Sequence, residues 1–144
     1  MTAMRLMGLL VLMLVGGSAW ADEFVFVRNA SNPTARLQVN EVKDMYTGKR
    51  KEWPNGVPIQ VVLTGEDSPE LAWLASTFFG INARPLLSKI KQEVFKGEMT
   101  RPISADNEQD TLEKLKSAKG GIGVVRAAAV KSLPSSVGVI QVTP

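Results

Sequence analysis

Ile59-Gln60-Val61-Val62-Leu63-Thr64-Gly65-Glu66-Asp67-Ser68-Pro69-Glu70-Leu71 changes character at its middle. The first five residues are a β-branched and apolar run of strand length, and Thr64-Gly65-Glu66-Asp67 breaks it. Ser68 can then cap a helix, Pro69 fits the first helical position and Glu70 complements the positive end of the helix dipole. Leu71, Leu74, Ala75, Phe78 and Phe79 follow at helical spacing up to Gly80. A buried strand feeding directly into an amphipathic helix is the building unit of an α/β fold.

The flanking sequence repeats the alternation. Upstream, Glu23 to Arg28 reads as a short buried strand stopped by Asn29-Ala30-Ser31-Asn32-Pro33. Asn40 stands as the expected cap of a helix that presents Val42, Met45 and Tyr46 on one face and closes at Gly48. A polar loop, Lys49-Arg50-Lys51-Glu52-Trp53-Pro54-Asn55-Gly56, carries one tryptophan. Downstream, Arg84-Pro85 opens a helix with Leu86, Leu87, Ile90, Val94 and Phe95 inward, ending at Gly97; the two helices form a hairpin against a sheet. Pro102-Ile103 is extended. Asp106 and Gln109 resemble a capping box before Leu112, Leu115 and Ala118. Ile122 to Arg126 and Val137 to Val142 are the closing strands, so the chain predicts an α/β sandwich rather than a bundle or barrel.

Met1 to Ala21 stands apart. Arg5 precedes an apolar run from Leu6 to Val15, and Ala19-Trp20-Ala21 is a small-x-small cleavage pattern. The run is shorter than the roughly 20 residues a membrane span needs. The expectation is a cleaved signal peptide over 1–21, export to the periplasm, and a folded domain over 22–144.

The chain of 144 residues is 44% hydrophobic and 22% charged, and it has neither Cys nor His. That composition excludes Ser-His-Asp and Cys-His nucleophile pairs, thiol redox chemistry, His or Cys zinc sites, disulfides and acylation of a lipoprotein cysteine. No cofactor and no metal is expected. Without Arg5 the balance is 16 basic to 14 acidic residues, too even to leave a footprint for nucleic acid.

Four features invite a chemical reading. Thr64, Gly65 and Ser68 lie at a helix N-terminus, where backbone N–H groups can hold a phosphate or another small oxyanion. Glu66, Asp67 and Glu70 oppose that reading, and capping alone accounts for Ser68-Pro69-Glu70. Lys49, Arg50, Lys51 and Trp53 could dock an acidic partner, although cations after a helix C-terminus are favourable in their own right. Gly120-Gly121-Ile122-Gly123 has glycines before a strand instead of between strand and helix, which is the wrong order for a dinucleotide loop. Asp106, Glu108 and Asp110 could serve a hydrolase, yet acids at a helix start complement its dipole.

Several segments, in order, resemble the phosphate-binding-protein family of ABC transporters, with its type II periplasmic solute-binding fold. They are Phe26-Val27-Arg28-Asn29 through Asn32-Pro33, then Leu37-Gln38-Val39-Asn40-Glu41-Val42-Lys43-Asp44-Met45-Tyr46-Thr47-Gly48-Lys49 with Trp53-Pro54-Asn55-Gly56, Val94-Phe95-Lys96-Gly97 with Pro102, and Gly120-Gly121-Ile122-Gly123-Val124. The resemblance implies a single α/β lobe of that fold, a central mixed sheet flanked by helices. It also implies a non-enzymatic solute-binding module, with phosphate or another small oxyanion as ligand and a membrane transporter or sensor as partner. The family closes two lobes over its anion, whereas this chain resembles one. It has Leu63-Thr64-Gly65-Glu66-Asp67-Ser68 where the family carries an Arg and a Ser-Gly-Thr loop. The alternative is an envelope interaction protein that kept the fold and lost the ligand.

Overall fold

A computed structural model describes residues 23–144; the expected signal peptide lies outside the described residues. Six strands form one mixed sheet: β1 (Phe24–Asn29), β2 (Arg36–Gln38), β3 (Gln60–Leu63), β4 (Ile103–Ser104), β5 (Gly121–Arg126) and β6 (Val137–Thr143). Their spatial order is β2-β6-β1-β5-β3-β4. β1 runs antiparallel to both β5 and β6, while β2 on β6, β3 on β5 and β4 on β3 are parallel pairs. The helices are α1 (Val39–Tyr46), α2 (Pro69–Leu74), α3 (Ala83–Phe95) and α4 (Glu108–Ser117). α2 widens into a π turn over Ala75–Phe79, and a 3-10 segment covers Ala127–Ser132.

Side-chain alternation along the strands separates two apolar layers. Phe24 and Phe26 of β1, Val61 of β3, and Ile122 and Val124 of β5 pack with Met45 and Tyr46 of α1, Leu71 and Leu74 of α2, and Leu86 and Ile90 of α3. Val27, Val62 and Val125 face the other way, onto Leu112 and Leu115 of α4. The hairpin of α2 and α3 therefore covers one face of the sheet, as the sequence predicts. Full burial of each such aliphatic side chain contributes roughly 1.5–3 kcal/mol. Among the described residues no helix is long and apolar enough to cross a membrane.

Two helix starts fall elsewhere than expected. Gln38, not Asn40, takes the N-cap of α1, and its N–H donates to the Glu41 carboxylate at 2.8 Å. The reciprocal bonding of Gln38 with Glu41 starts the helix before Asn40, which is left exposed within it. At α4, Asn107 replaces Asp106: its side chain accepts from Asp110 N at 2.9 Å, and the Asp110 carboxylate accepts from Asp106 N at 2.9 Å. Asn107 thus caps the helix one residue later than expected, and the acid that reaches back is Asp110, to Asp106 N, so the expected Asp106–Gln109 box does not form. Gly48 ends α1 as predicted, at φ 81. A Cβ there would stand 2.8 Å from the carbonyl oxygen of Glu98, so both left-handed geometry and close approach require glycine.

Candidate functional site

β3 and β4 end side by side, with Leu63 opposite Ser104 and Ala105 N donating to Leu63 O at 2.9 Å. Their outgoing loops, one leading to α2 and the other to α4, leave the same sheet edge. In open α/β sheets this edge is where ligands gather.

The structure brings Thr64, Gly65 and Ser68 together in the first of these loops. Thr64 is buried, and its hydroxyl lies 2.5 Å from that of Ser68. Ser68 Oγ also accepts from Leu71 N at 3.2 Å, and Ser68 N donates to Gly65 O at 2.9 Å. Capping thus engages the Ser68 hydroxyl, while the space beyond Gly65 is open, with no atom within 4 Å of where a Cβ would stand.

Of the opposing acids, Glu66 has a partner that sequence reading missed. Arg84, in the first turn of α3, donates from Nε to the Glu66 carboxylate at 2.7 Å. That bond and the charge of Glu66 raise the Arg84 pKa above its ordinary value. The separation of 18 residues hides the pair from any local pattern, so only the hairpin fold reveals it.

A groove of about 670 Å³ opens between this loop, α3 and β4. Leu87, Ile90, Val94 and Phe95 form its helical wall, while Thr64 and Ser104 contribute hydroxyls. Lys91 and Arg101 also line it, and neither has a carboxylate partner among the described residues. Glu66 and Asp106 lie at the end where β3 and β4 finish; Arg101 precedes β4 at the other. Phe95, expected to face inward, is instead 93% exposed, because it ends α3 beyond the part of the helix that packs on the sheet. Val94, Phe95, Pro102 and Asp106 stand out in the sequence, yet nothing there joins them to the Thr64–Gly65 loop, because helical periodicity assigns the apolar wall of α3 to a core.

The basic loop is divided between roles. Arg50 Nη1 pairs with Glu41 at 2.6 Å; with the backbone N–H of Gln38, which acts more strongly, it holds the Glu41 carboxyl below its usual range. Lys51 Nζ donates to the carbonyl oxygens of Glu98 at 2.5 Å and Gly48 at 3.1 Å. Trp53 is 2% exposed and donates from Nε1 to Gly120 O at 2.9 Å, so it anchors the loop to the core and presents no surface. Of the loop's three cations, Lys49 alone is exposed without a side-chain partner among the described residues.

Two of the acids around the start of α4 accept from backbone N–H groups. Asp110 accepts from Asp106 N and pairs with Lys114 at 3.1 Å, and these contacts lower its pKa, the backbone bond most. Glu108 accepts from Arg126 N at 2.7 Å. Among the described residues no group of three or more acidic, His or Cys side chains is placed to hold a metal ion. The Gly120–Gly123 segment is a packing surface: a Cβ on Gly121 or Gly123 would collide with Leu115 or Thr111 of α4.

Residues 17–140 match the family model described as the PBP superfamily domain. Among solved structures, a protein assigned as a phosphate ABC transporter substrate-binding protein from Clostridium perfringens, with bound phosphate, has a TM-score of 0.64 at 21% identity. An ABC-type phosphate transport receptor from Vibrio cholerae gives 0.64 at 16%. A phosphate binding protein from Stenotrophomonas maltophilia gives 0.61 at 18%. Each alignment covers 84% of this chain, but 45%, 46% and 39% respectively of the other. The chain thus spans less than half the length of these structures, and at such identities the likeness is one of fold. No curated protein matches the sequence.

Proposed function

The chain belongs to the PBP superfamily domain family, and from that premise we propose that it is a non-enzymatic solute-binding module that takes a small oxyanion weakly. The observation that carries this reading is the groove between α3 and β4, which the Thr64–Gly65 loop closes and which Lys91 and Arg101 line without carboxylate partners. The Arg84–Glu66 pair supports it by neutralising one of the acids that would repel an anion. Thr64, Gly65 and Ser68 form the loop at which the anion's surroundings close.

In this reading residues 1–21 direct export, residues 22–144 fold in the periplasm, and a membrane transporter component is the partner. The groove is open on one side, so a bound anion keeps part of its hydration and affinity stays low. Calorimetry of the purified protein with inorganic phosphate tests this. A dissociation constant roughly in the millimolar range, equivalent to about −4 kcal/mol, is expected. Absence of saturable heat with any anion at tens of times that concentration overturns the reading.

A further inference from the structure

The walls of the groove are unlike what a bare oxyanion needs. Phosphate is bound by donors and positive charge; it gains nothing from hydrocarbon and loses hydration beside it. Here Leu87, Lys91 and Phe95 follow one another at four-residue spacing on α3, with Ile90 and Val94 beside them. The result is an apolar wall with an exposed cation along it. Phe95 stands almost wholly in water, although a phenyl ring is costly to leave there. The volume of about 670 Å³ lies within the roughly 300–1,000 Å³ typical of small-molecule sites. It is far more than a tetrahedral anion fills.

Charge along the groove gives a direction. Arg101, just before β4, and Lys91 supply positive charge, while Asp106 supplies negative charge at the end where β3 and β4 finish, Glu66 there being paired with Arg84. An acidic group is attracted by the two cations and repelled by Asp106. An attached apolar chain then lies against the α3 wall.

We propose that the groove between α3 and β4 binds an amphipathic organic anion, with its acidic head at Arg101 and Lys91 and its hydrocarbon body against Leu87, Val94 and Phe95. This rests on the solute-binding reading above and specifies the ligand class of the same site. Each methylene brought out of water onto the wall raises affinity about fourfold, and a six-carbon chain that is only partly covered gives at least tenfold over phosphate.

Calorimetry with three probes, inorganic phosphate, hexyl phosphate and 1-hexanol, tests the assignment. Hexyl phosphate is expected to bind at least tenfold tighter than phosphate and than hexanol. Arg101→Gln and Lys91→Gln, both at exposed positions, should each weaken hexyl phosphate at least fivefold. Phe95→Ser should weaken hexyl phosphate and leave phosphate unchanged. Melting curves keep the comparison to folded variants, and either cation variant suffices if the other misfolds. Equal affinity for phosphate and hexyl phosphate, with Phe95→Ser neutral, overturns the amphipathic ligand while the small-oxyanion reading stands. Hexanol binding as tightly as hexyl phosphate also overturns it, because the cations then recognise nothing. No binding by any probe overturns both readings.

Discussion

The indole N–H of Trp53 donates to the carbonyl oxygen of Gly120 at 2.9 Å, joining the loop before β3 to the start of β5 across 67 residues. The same oxygen accepts from Gln60 N at 2.9 Å. Trp53→Phe therefore leaves the acceptor with one partner and is expected to cost about 1 kcal/mol in urea unfolding. Gly120→Ala is the harsher change. Its Cβ would overlap the carbonyl oxygen of Pro58, a backbone atom in the segment leading into β3, and a loss of about 1–3 kcal/mol or more is expected.

Ser68 separates scaffolding from ligand contact. Its hydroxyl caps α2 by accepting from Leu71 N, so Ser68→Ala should lower stability by about 1 kcal/mol. Arg101→Gln touches no intramolecular pair among the described residues and should leave stability within about 0.5 kcal/mol. Chemical denaturation of the two variants side by side checks the contrast.

Acid should weaken the fold through two particular carboxylates. Glu41 and Asp110 both have lowered pKa values, chiefly because backbone N–H groups of Gln38 and Asp106 donate to them. The unfolded chain takes up their protons first as pH falls, since its carboxyls titrate near pH 4. Their contribution is present above that value and is lost as pH drops through the lower values of the folded state. Unfolding free energy measured from pH 6 down to pH 3 should decline, and Asp110→Asn should make the decline shallower.

Tyr46 is the single tyrosine of the chain, which allows its ionisation to be read directly. It is fully buried, packs 6.2 Å from Phe26 between ring centroids, and burial raises its phenol pKa well above the ordinary value. Stability linked to it is present below about pH 10 and lost as pH rises beyond. Phenolate absorbance is therefore expected only as the protein unfolds in alkali. Tyr46→Phe breaks no hydrogen bond to another protein group and should change stability by no more than about 1 kcal/mol, whereas Tyr46→Ala should cost about 3–5 kcal/mol.

What the sequence reveals follows from the range of the forces involved. Leu71, Leu74 and Ile90 announce their burial by spacing, and Ser68-Pro69 marks the start of α2, because capping and periodicity act within a few residues. Gln38 escapes such reading: Asn40 is the better intrinsic cap, but Glu41 reaches back to the Gln38 N–H and starts the helix earlier. β2, only Arg36–Gln38, carries no recognisable pattern of its own and exists because β6 lies beside it. At the site, Thr64 and Gly65 are legible as a strand-to-helix turn. Arg84 and Arg101 are not, since the turn between α2 and α3 and the position of β4 decide what they meet. Trp53 illustrates the opposite error, an aromatic in a polar loop that turns inward to satisfy Gly120.

The placement of β1 bears on when this protein can fold. Phe24 pairs with Arg126, and Asn29 with Val137, so the first described strand lies between the two described strands furthest from it along the chain. A growing chain has nothing to set on either side of Phe24–Asn29 until more than ninety residues have followed, since Arg28 pairs with Ile122. Contacts of such separation form slowly, after loop-closure entropy has been overcome. Helices can flicker earlier, but the central sheet is a late and all-or-none event. A chain shortened before Gly121 should leave Phe24 and Phe26 without a seat and remain open.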